Sequence, residues 1–351
     1  MDSFQQEIYK WYNTNKRDLP WRKTNDPYKI WISEIILQQT KVSQGINYYN
    51  RFINRYPNIF ALANSSEDNI LKLWQGLGYY TRARNLHFTA KYIVNNYNGI
   101  FPDDFKAILN LKGVGNYTAA AIASIAFNLP HAVVDGNIYR VISRFYGITT
   151  PIDSQKGKTE IQKLADDLIL NTDPGFHNQA FMEFGALQCL PKSPACNLCP
   201  LETKCFAANY NLTSQIPVKE KKVKQSTRYF YYFIFESKDS VILVKRTEND
   251  IWKNLHQFPL HESETEYSDT ELINLKISFN LSKKNNLKSI SETYKHVLTH
   301  QTIYARFIHF EVDDYSLNDS KFIRVNKKDI YKFAVPRLLE KYLKKMEMPE
   351  S

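Results

Sequence analysis

The sequence predicts two domains of different class: a mainly α-helical domain over residues 1–213 and an α+β domain over residues 228–351, joined by a basic linker at 214–227. Three observations carry this. Up to about residue 210, apolar residues recur at spacings of three and four, with almost no strand-like alternation. Beyond 228 the pattern shortens to period two and to β-branched runs. All four cysteines of the 351-residue chain fall between residues 189 and 205, where the helical pattern ends.

In the first domain, Ile30, Trp31, Ile35 and Leu37 and then Tyr48, Tyr49, Phe52 and Ile53 give helical spacing. Pro57, Gly76, Gly78, Gly99 with Pro102, and Pro130 mark turns, so the segments between them have ordinary helix lengths. Asp103–Asn110 reads as a short helix after Pro102. Leu111-Lys112-Gly113-Val114-Gly115 then makes a tight turn, and Tyr117–Phe127 is a second, Ala-rich helix. Val133-Val134-Asp135-Gly136-Asn137 precedes a further helical run, Ile138–Phe145. The linker carries Lys219, Lys221, Lys222 and Lys224, with Arg228 just beyond it. In the second domain, period two over Tyr229–Glu236, the run Val241–Val244 and the stretch Thr302–Phe310 predict strands, and Pro336–Lys345 predicts a helix. No internal repeat or low-complexity tract interrupts the chain.

The cysteines Cys189, Cys196, Cys199 and Cys205 are spaced C-x6-C-x2-C-x5-C. Four thiolates converging on one centre need short loops, whereas thiols kept for disulfides are spread to close long ones. Zinc ribbons usually present two C-x2-C knuckles, and only Cys196 and Cys199 form one, which favours a four-iron four-sulfur cluster over zinc. Two disulfides are the alternative. The absence of a signal-like segment over Met1–Lys10 and of any membrane-length apolar run predicts a cytoplasmic, bacterial-type intracellular protein with no membrane partner. Lys plus Arg total 46 against 36 Asp plus Glu, a net charge of +10, and 23 Tyr, 21 Phe and 5 Trp supply stacking surface. A polyanionic partner is expected.

Three elements carry chemistry. The hairpin glycines Gly113 and Gly115 permit backbone conformations closed to other residues and bring main-chain amides at a helix start toward a phosphate; a plain turn is the alternative. Asp135 is either a helix N-cap or a catalyst, and the readings are compatible, since a helix start is expected to lower its pKa and hold it ionised. Glu34 has apolar helical neighbours Ile30, Trp31 and Leu37, so desolvation is expected to raise its pKa and suit it as a proton donor; pairing with a buried arginine is the alternative. A neutral acid beside an ionised carboxylate is the division of labour that cleaves glycosidic bonds.

The cysteine spacing, the Leu111–Gly115 hairpin, Val134-Asp135-Gly136-Asn137, Glu34 with Leu37-Gln38-Gln39-Thr40, and Gly76-Leu77-Gly78-Tyr79-Tyr80-Thr81-Arg82-Ala83-Arg84-Asn85-Leu86 together resemble the MutY family of adenine DNA glycosylases, within the helix-hairpin-helix glycosylase superfamily. The resemblance implies a helix-hairpin-helix glycosylase domain with an iron-sulfur module, followed by a C-terminal α+β Nudix-like domain. It implies a six-helix module at about 25–132 and an iron-sulfur module from 1–24 and 133–213. It implies base excision repair by a monomer acting on duplex DNA: adenine opposite 8-oxoguanine or guanine is flipped out and its N-glycosidic bond hydrolysed. By position, Glu34 matches the general acid and Asp135 the carboxylate facing the sugar cation, while Tyr117 and Asn137 match residues of the same pocket. Gln39, Leu77 and Tyr79 match residues inserted into the duplex. Gly113 and Gly115 match the phosphate-binding hairpin, and the four cysteines match the ligands of the 4Fe-4S cluster.

Lyase relatives carry an amine two residues past the second hairpin glycine; here Tyr117 stands there, which implies a monofunctional glycosylase. Residues 251–259 and Leu298-Thr299-His300 resemble the family's 8-oxoguanine-recognising domain, with Thr299 where Ser is commoner; His300 is alternatively a packed loop residue. No REx2EE Nudix box occurs, so phosphate hydrolysis is not expected. Two rivals remain: an endonuclease III type pyrimidine glycosylase and lyase, and a non-catalytic iron-sulfur DNA-binding regulator. Tyr117 and the extra domain weigh against the first; a Glu34–Asp135 pair without a role weighs against the second.

Overall fold

The computed structural model describes residues 3–220, 225–275, 285–313, 315 and 319–346, and its chain divides into two compact units. Unit 1 comprises Met1–Asn64 with Asn85–Lys221, and unit 2 comprises Ser65–Arg84 with Lys222–Ser351. Among the described residues, no helix is long and apolar enough to cross a membrane.

The helices are α1 Ser3–Asn15, α2 Pro27–Leu37, α3 Val42–Arg55, α4 Ile59–Ala63, α5 Glu67–Trp74, α6 Thr81–Tyr97, α7 Phe105–Leu109, α8 Asn116–Phe127, α9 Gly136–Tyr146, α10 Gln155–Ile169, α11 Pro174–Leu187 and α12 Phe206–Asn209. Their starts follow from the residues found there. Asp26 caps α2 and Asp173 caps α11, each followed by a proline at the first helical position, whose missing N–H would have had no partner there. Helix α2 buries Tyr28 and every residue from Ile30 to Ile36, and α8 buries Thr118–Ser124. The two pack against each other as helices apolar on all sides, rather than as amphipathic ones. A second core joins Phe4, Ile8 and Tyr12 of α1 to Ile138, Val141 and Ile142 of α9, Ile161 and Ala165 of α10 and Phe181 and Phe184 of α11.

Of the basic linker, Ser214–Glu220 packs on unit 1: Ile216 is buried, Val218 accepts from Ile152 N at 3.0 Å and Asp153 Oδ1 accepts from Glu220 N at 3.1 Å. Lys221, Lys222 and Lys224 lie outside the described residues, and Ser226 and Thr227 already belong to a strand.

Unit 2 holds the strands β1 Ser226–Glu236, β2 Ser240–Lys245, β3 His256–Gln257, β4 Leu260–Ser263, β5 Asn285–Ile290, β6 Tyr294–Val297, β7 Gln301–Val312 and β8 Phe322–Asn326, with helices α13 Asp269–Asn274 and α14 Arg337–Lys345. They form one mixed sheet of order β3-β2-β1-β7-β5, with β4 also on β1, β6 on β7 and β8 on β2. Strands β1 and β7 run parallel, from Ser226 beside Gln301 to Glu236 beside Glu311; the other pairings are antiparallel. The period-two reading of β1 requires a correction. Its side chains do alternate, but both faces are covered: Phe230, Tyr232 and Ile234 meet Leu338, Leu339 and Tyr342 of α14, while Tyr231, Phe233 and Phe235 share a core with Leu272 of α13. A strand buried on both sides reads as a continuous apolar run.

Candidate active site and thiol centre

Glu34 lies on the buried helix α2 and is 6% exposed. Asp135 caps α9: its Oδ1 accepts from Asn137 N at 2.9 Å and Ile138 N at 2.8 Å, and its Oδ2 accepts from Asn137 Nδ2 at 2.7 Å. The approach to Asp135 is set by Asn178, which accepts from Val133 N at 3.0 Å and donates to His131 O at 2.9 Å. Asn137 fits because Gly185 faces it; a Cβ on that glycine would stand 2.6 Å from the Asn137 Cβ. Tyr117, on the first turn of α8, points its hydroxyl at Met182 Sδ, 3.5 Å away, and lies against the Glu34 carboxyl, whose pKa it lowers.

Glu34, Tyr117, Asp135 and Asn137 thus line one cavity of about 210 Å³, together with Arg17, Arg22, Gln179 and Glu183. That is smaller than the roughly 300–1,000 Å³ of drug-sized ligand pockets. Burial pushes the Glu34 carboxyl up to about 7; the Tyr117 hydrogen bond opposes this, nearby Asp135 adds to it and Arg22 opposes it. Glu34 Oε2 has no hydrogen-bond partner among the described residues. Arginine pairing of Glu34 is replaced by this phenol contact. Asp135 departs from expectation: burial raises its pKa, outweighing the hydrogen bonds from Ile138 and Asn137 that favour the charged form.

Helix α9 connects this cavity with the cysteines. Arg140 donates to Asn137 Oδ1 at 2.9 Å, Gly185 O at 2.6 Å and Cys189 O at 2.6 Å. One turn on, Arg144 donates to Cys189 Sγ at 3.4 Å, Leu190 O at 2.7 Å and Ile216 O at 2.9 Å. Neither arginine was singled out by sequence reasoning, although their spacing of four on an apolar helix marks one face. Cys189, Cys196, Cys199 and Cys205 line one cavity with Val141, Phe145 and Phe184, and all four are free thiols, not disulfides. Burial pushes the Cys199 thiol up to about 12 despite an N–H from Leu201, and raises Cys205 despite those of Ala208 and Ala207. Among the described residues, no three His, Cys, Asp or Glu side chains close on a point as a single metal ion requires.

The hairpin connects α7 to α8. Gly113 has φ +83°, and a Cβ there would stand 2.7 Å from Asn85, so the turn requires glycine. Gly115 is the extended N-cap of α8, with nothing within 4 Å of where a Cβ would be. Gln39 is exposed in the left-handed region just past α2, φ 55°.

The remaining candidates lie in unit 2, where Ser65–Arg84 meets the C-terminal residues. Tyr79 is 49% exposed and its hydroxyl lies 2.5 Å from Thr299 Oγ1. Leu77 is 8% exposed. Its loop is left-handed at Gly76, Gly78 and Tyr79 (φ 96°, 73° and 47°) and is held by Trp74 Nε1, which donates to Gly78 O at 3.1 Å, and by Arg82, which donates to Leu77 O and Gly78 O at 3.4 and 3.3 Å. Thr299 and His300 are exposed, and the His300 carbonyl accepts from Ser226 N at 3.0 Å. Leu77, Tyr79, Trp252, Thr299 and His300 line a cavity of about 400 Å³.

The hairpin, the capped carboxylate and the four-thiol loop all belong to unit 1. The family model described as HhH-GPD superfamily base excision DNA repair protein matches residues 32–167, and a NUDIX domain model matches 230–345. The chain is 38% identical over 357 aligned residues to an adenine DNA glycosylase of Buchnera aphidicola subsp. Baizongia pistaciae, covering 98% of this chain and 97% of the relative. It is 42% identical to the adenine DNA glycosylase of Rattus norvegicus, covering 58% of this chain and 42% of that one. Among solved structures, a thermostable thymine-DNA glycosylase superposes with a TM-score of 0.55 at 33% identity, over 59% of this chain and 95% of that one. The chain belongs to the adenine DNA glycosylase family. It is an enzyme, a hydrolase of N-glycosyl bonds.

Proposed function

We propose that this enzyme removes adenine paired with 8-oxoguanine or guanine from duplex DNA, after flipping the adenine nucleotide into the cavity at Glu34. The observation that carries the proposal is a neutral-range acid, Glu34, sharing a base-sized cavity with the carboxylate Asp135. Protonated Glu34 donates to the departing base, which leaves as a neutral molecule. In its ionised form Asp135 stabilises the oxocarbenium-like sugar and takes the proton that water gives up as it adds. Tyr117 holds Glu34 and Asn137 holds Asp135, fixing the pair before substrate arrives. The exposed glycine turn and the start of α8 offer amides to the DNA backbone. A duplex with adenine opposite 8-oxoguanine should break at the adenine after alkali, while duplexes with a mispaired thymine or with thymine glycol remain whole; cleavage at thymine would assign the chain the specificity of its thymine-acting structural relative.

The two-domain division at 213 and 228, and action as an intracellular monomer, belong to the same proposal. The four cysteines fit a 4Fe-4S cluster: they surround one cavity, Arg144 and main-chain amides point at their sulfurs, and half-buried thiols with raised pKa values ionise only beside strong positive charge. Cys189, Cys196, Cys199 and Cys205 would hold the cluster, which supplies a rigid cross-link in a loop with short turns.

Tyr117 has no amine, so borohydride should trap no protein on DNA and base release should leave an intact abasic strand; efficient trapping that vanishes in Tyr117→Phe would show a covalent lyase instead. Thr299→Ala removes the partner of Tyr79 and one candidate contact to 8-oxoguanine. A hydrogen bond contributes about 0.5–1.5 kcal/mol, so the preference for 8-oxoguanine over guanine opposite adenine should fall several-fold, with the release rate from the best substrate nearly kept. An unchanged preference ratio would remove Thr299 from recognition.

A further inference from the structure

We propose that Glu183 is a positioning residue for the catalytic acid: its carboxylate clamps Arg17 and Arg22 along the cavity wall and offsets one of their two positive charges, which would otherwise bear on Glu34. The inference rests on Glu34 being the acid. Glu183, on α11, is 1% exposed. Arg22 grips it at both oxygens, Nη1 to Oε1 at 2.9 Å and Nη2 to Oε2 at 2.8 Å. Arg17 adds its backbone N and Nε to Oε1, both at 2.9 Å, and Nη2 to Oε2 at 2.5 Å. Burial works to raise the Glu183 pKa, but these hydrogen bonds prevail and hold it near 2, so it stays charged across the working range.

A buried ion pair is weak evidence for stability, since apolar side chains of similar volume often serve as well. Its place matters more. The charged and titratable groups lining the cavity are Arg17 and Arg22 from the segment after α1, Tyr117 from α8, Asp135 at the start of α9, Glu183 from α11 and Glu34 itself. Arg22 is the cation whose charge opposes protonation of Glu34. A guanidinium charge left uncompensated beside a carboxyl lowers its pKa by about one to three units, so without Glu183 the two cations lining this cavity would favour ionised Glu34, which cannot donate. Glu183 therefore lets the cavity keep two guanidinium donors without discharging its acid.

The test is the pH profile of single-turnover adenine release from an adenine–8-oxoguanine duplex. Glu183→Gln should move the alkaline limb down by about one pH unit or more, so that activity lost at neutral pH returns on acidification. Arg22→Met should move the limb up, and Arg22→Met/Glu183→Gln, which removes one charge of each sign, should bring it back toward wild type. If Glu183→Gln does not fold, the latter two variants decide. Rates lowered equally at every pH, with the limb unmoved in all variants, would show a purely structural clamp and overturn the inference. A wild-type enzyme without an alkaline limb would instead overturn Glu34 as the acid.

Discussion

Glu34→Gln is expected to lower single-turnover base release by at least about 100-fold, the usual contribution of general acid catalysis, while duplex binding stays near wild type. The amide keeps the shape of the carboxyl and has no proton to give. In the wild-type enzyme the rate should fall about tenfold per pH unit above pH 7, because only the protonated form of a group near 7 donates. On the acid side it should fall as Asp135 takes up a proton, at a pH above the ordinary aspartate value. The same burial that tunes Glu34 costs stability. Its folded pKa lies above the unfolded one, so its contribution is fully present below about pH 4.5 and is lost as pH rises through 7; a shift of this size corresponds to roughly 3 kcal/mol. Glu34→Gln should accordingly raise the melting temperature at pH 8 and do little at pH 4. A variant that keeps more than about a tenth of the wild-type rate excludes Glu34 as the acid.

How much of this was legible in the sequence depends on how local each cause is. Glu34 could be read because its burial follows from its own helix: Ile30, Trp31 and Ile35 declare a helix that must be covered. Asp135 could be read as a cap, since capping involves only the next three residues, yet the direction of its pKa could not. That direction depends on burial by other elements, which here exceeds the effect of the helix start. The Glu183 clamp joins residues more than 160 positions apart, and no spacing rule connects an acid on α11 with arginines after α1. The grouping of Ser65–Arg84 with the C-terminal residues was hidden for the same reason. Its links are single long-range contacts, such as Asp68 with Lys245 at 2.7 Å and Arg84 with the Lys253 carbonyl at 2.8 Å. The family resemblance assigns Leu77 to the duplex wedge, with core packing as the alternative, and Leu77 is buried, whereas Tyr79, two residues on in the left-handed region, is exposed.

Cys199→Ser is expected to abolish iron incorporation, and with it the ordered 189–205 loop and DNA binding. Of residues 189–205, Leu201 alone is buried, in the core shared by α1, α9 and α11. The loop's regular structure is two three-residue 3₁₀ turns, Cys196–Leu198 and Glu202–Lys204, and in both of them no residue is buried. Arg140 and Arg144 tie its start to α9 and Cys205 Sγ lies 3.5 Å from Arg144 O, while Cys196 and Cys199 line the same cavity. A serine hydroxyl is a harder and far less acidic ligand than a thiolate, and binding energy lost from such a centre is folding energy lost from the loop. The wild-type protein should carry about four irons with matching acid-labile sulfide and a yellow-brown colour, while Cys199→Ser should be colourless, poorly soluble and unable to shift an abasic-site duplex. Glu34→Gln, which leaves the thiols untouched, should keep the iron and bind, separating loss of the centre from loss of catalysis. Anaerobically purified protein holding one zinc and no iron, or Cys199→Ser with undiminished iron, would sink the cluster assignment.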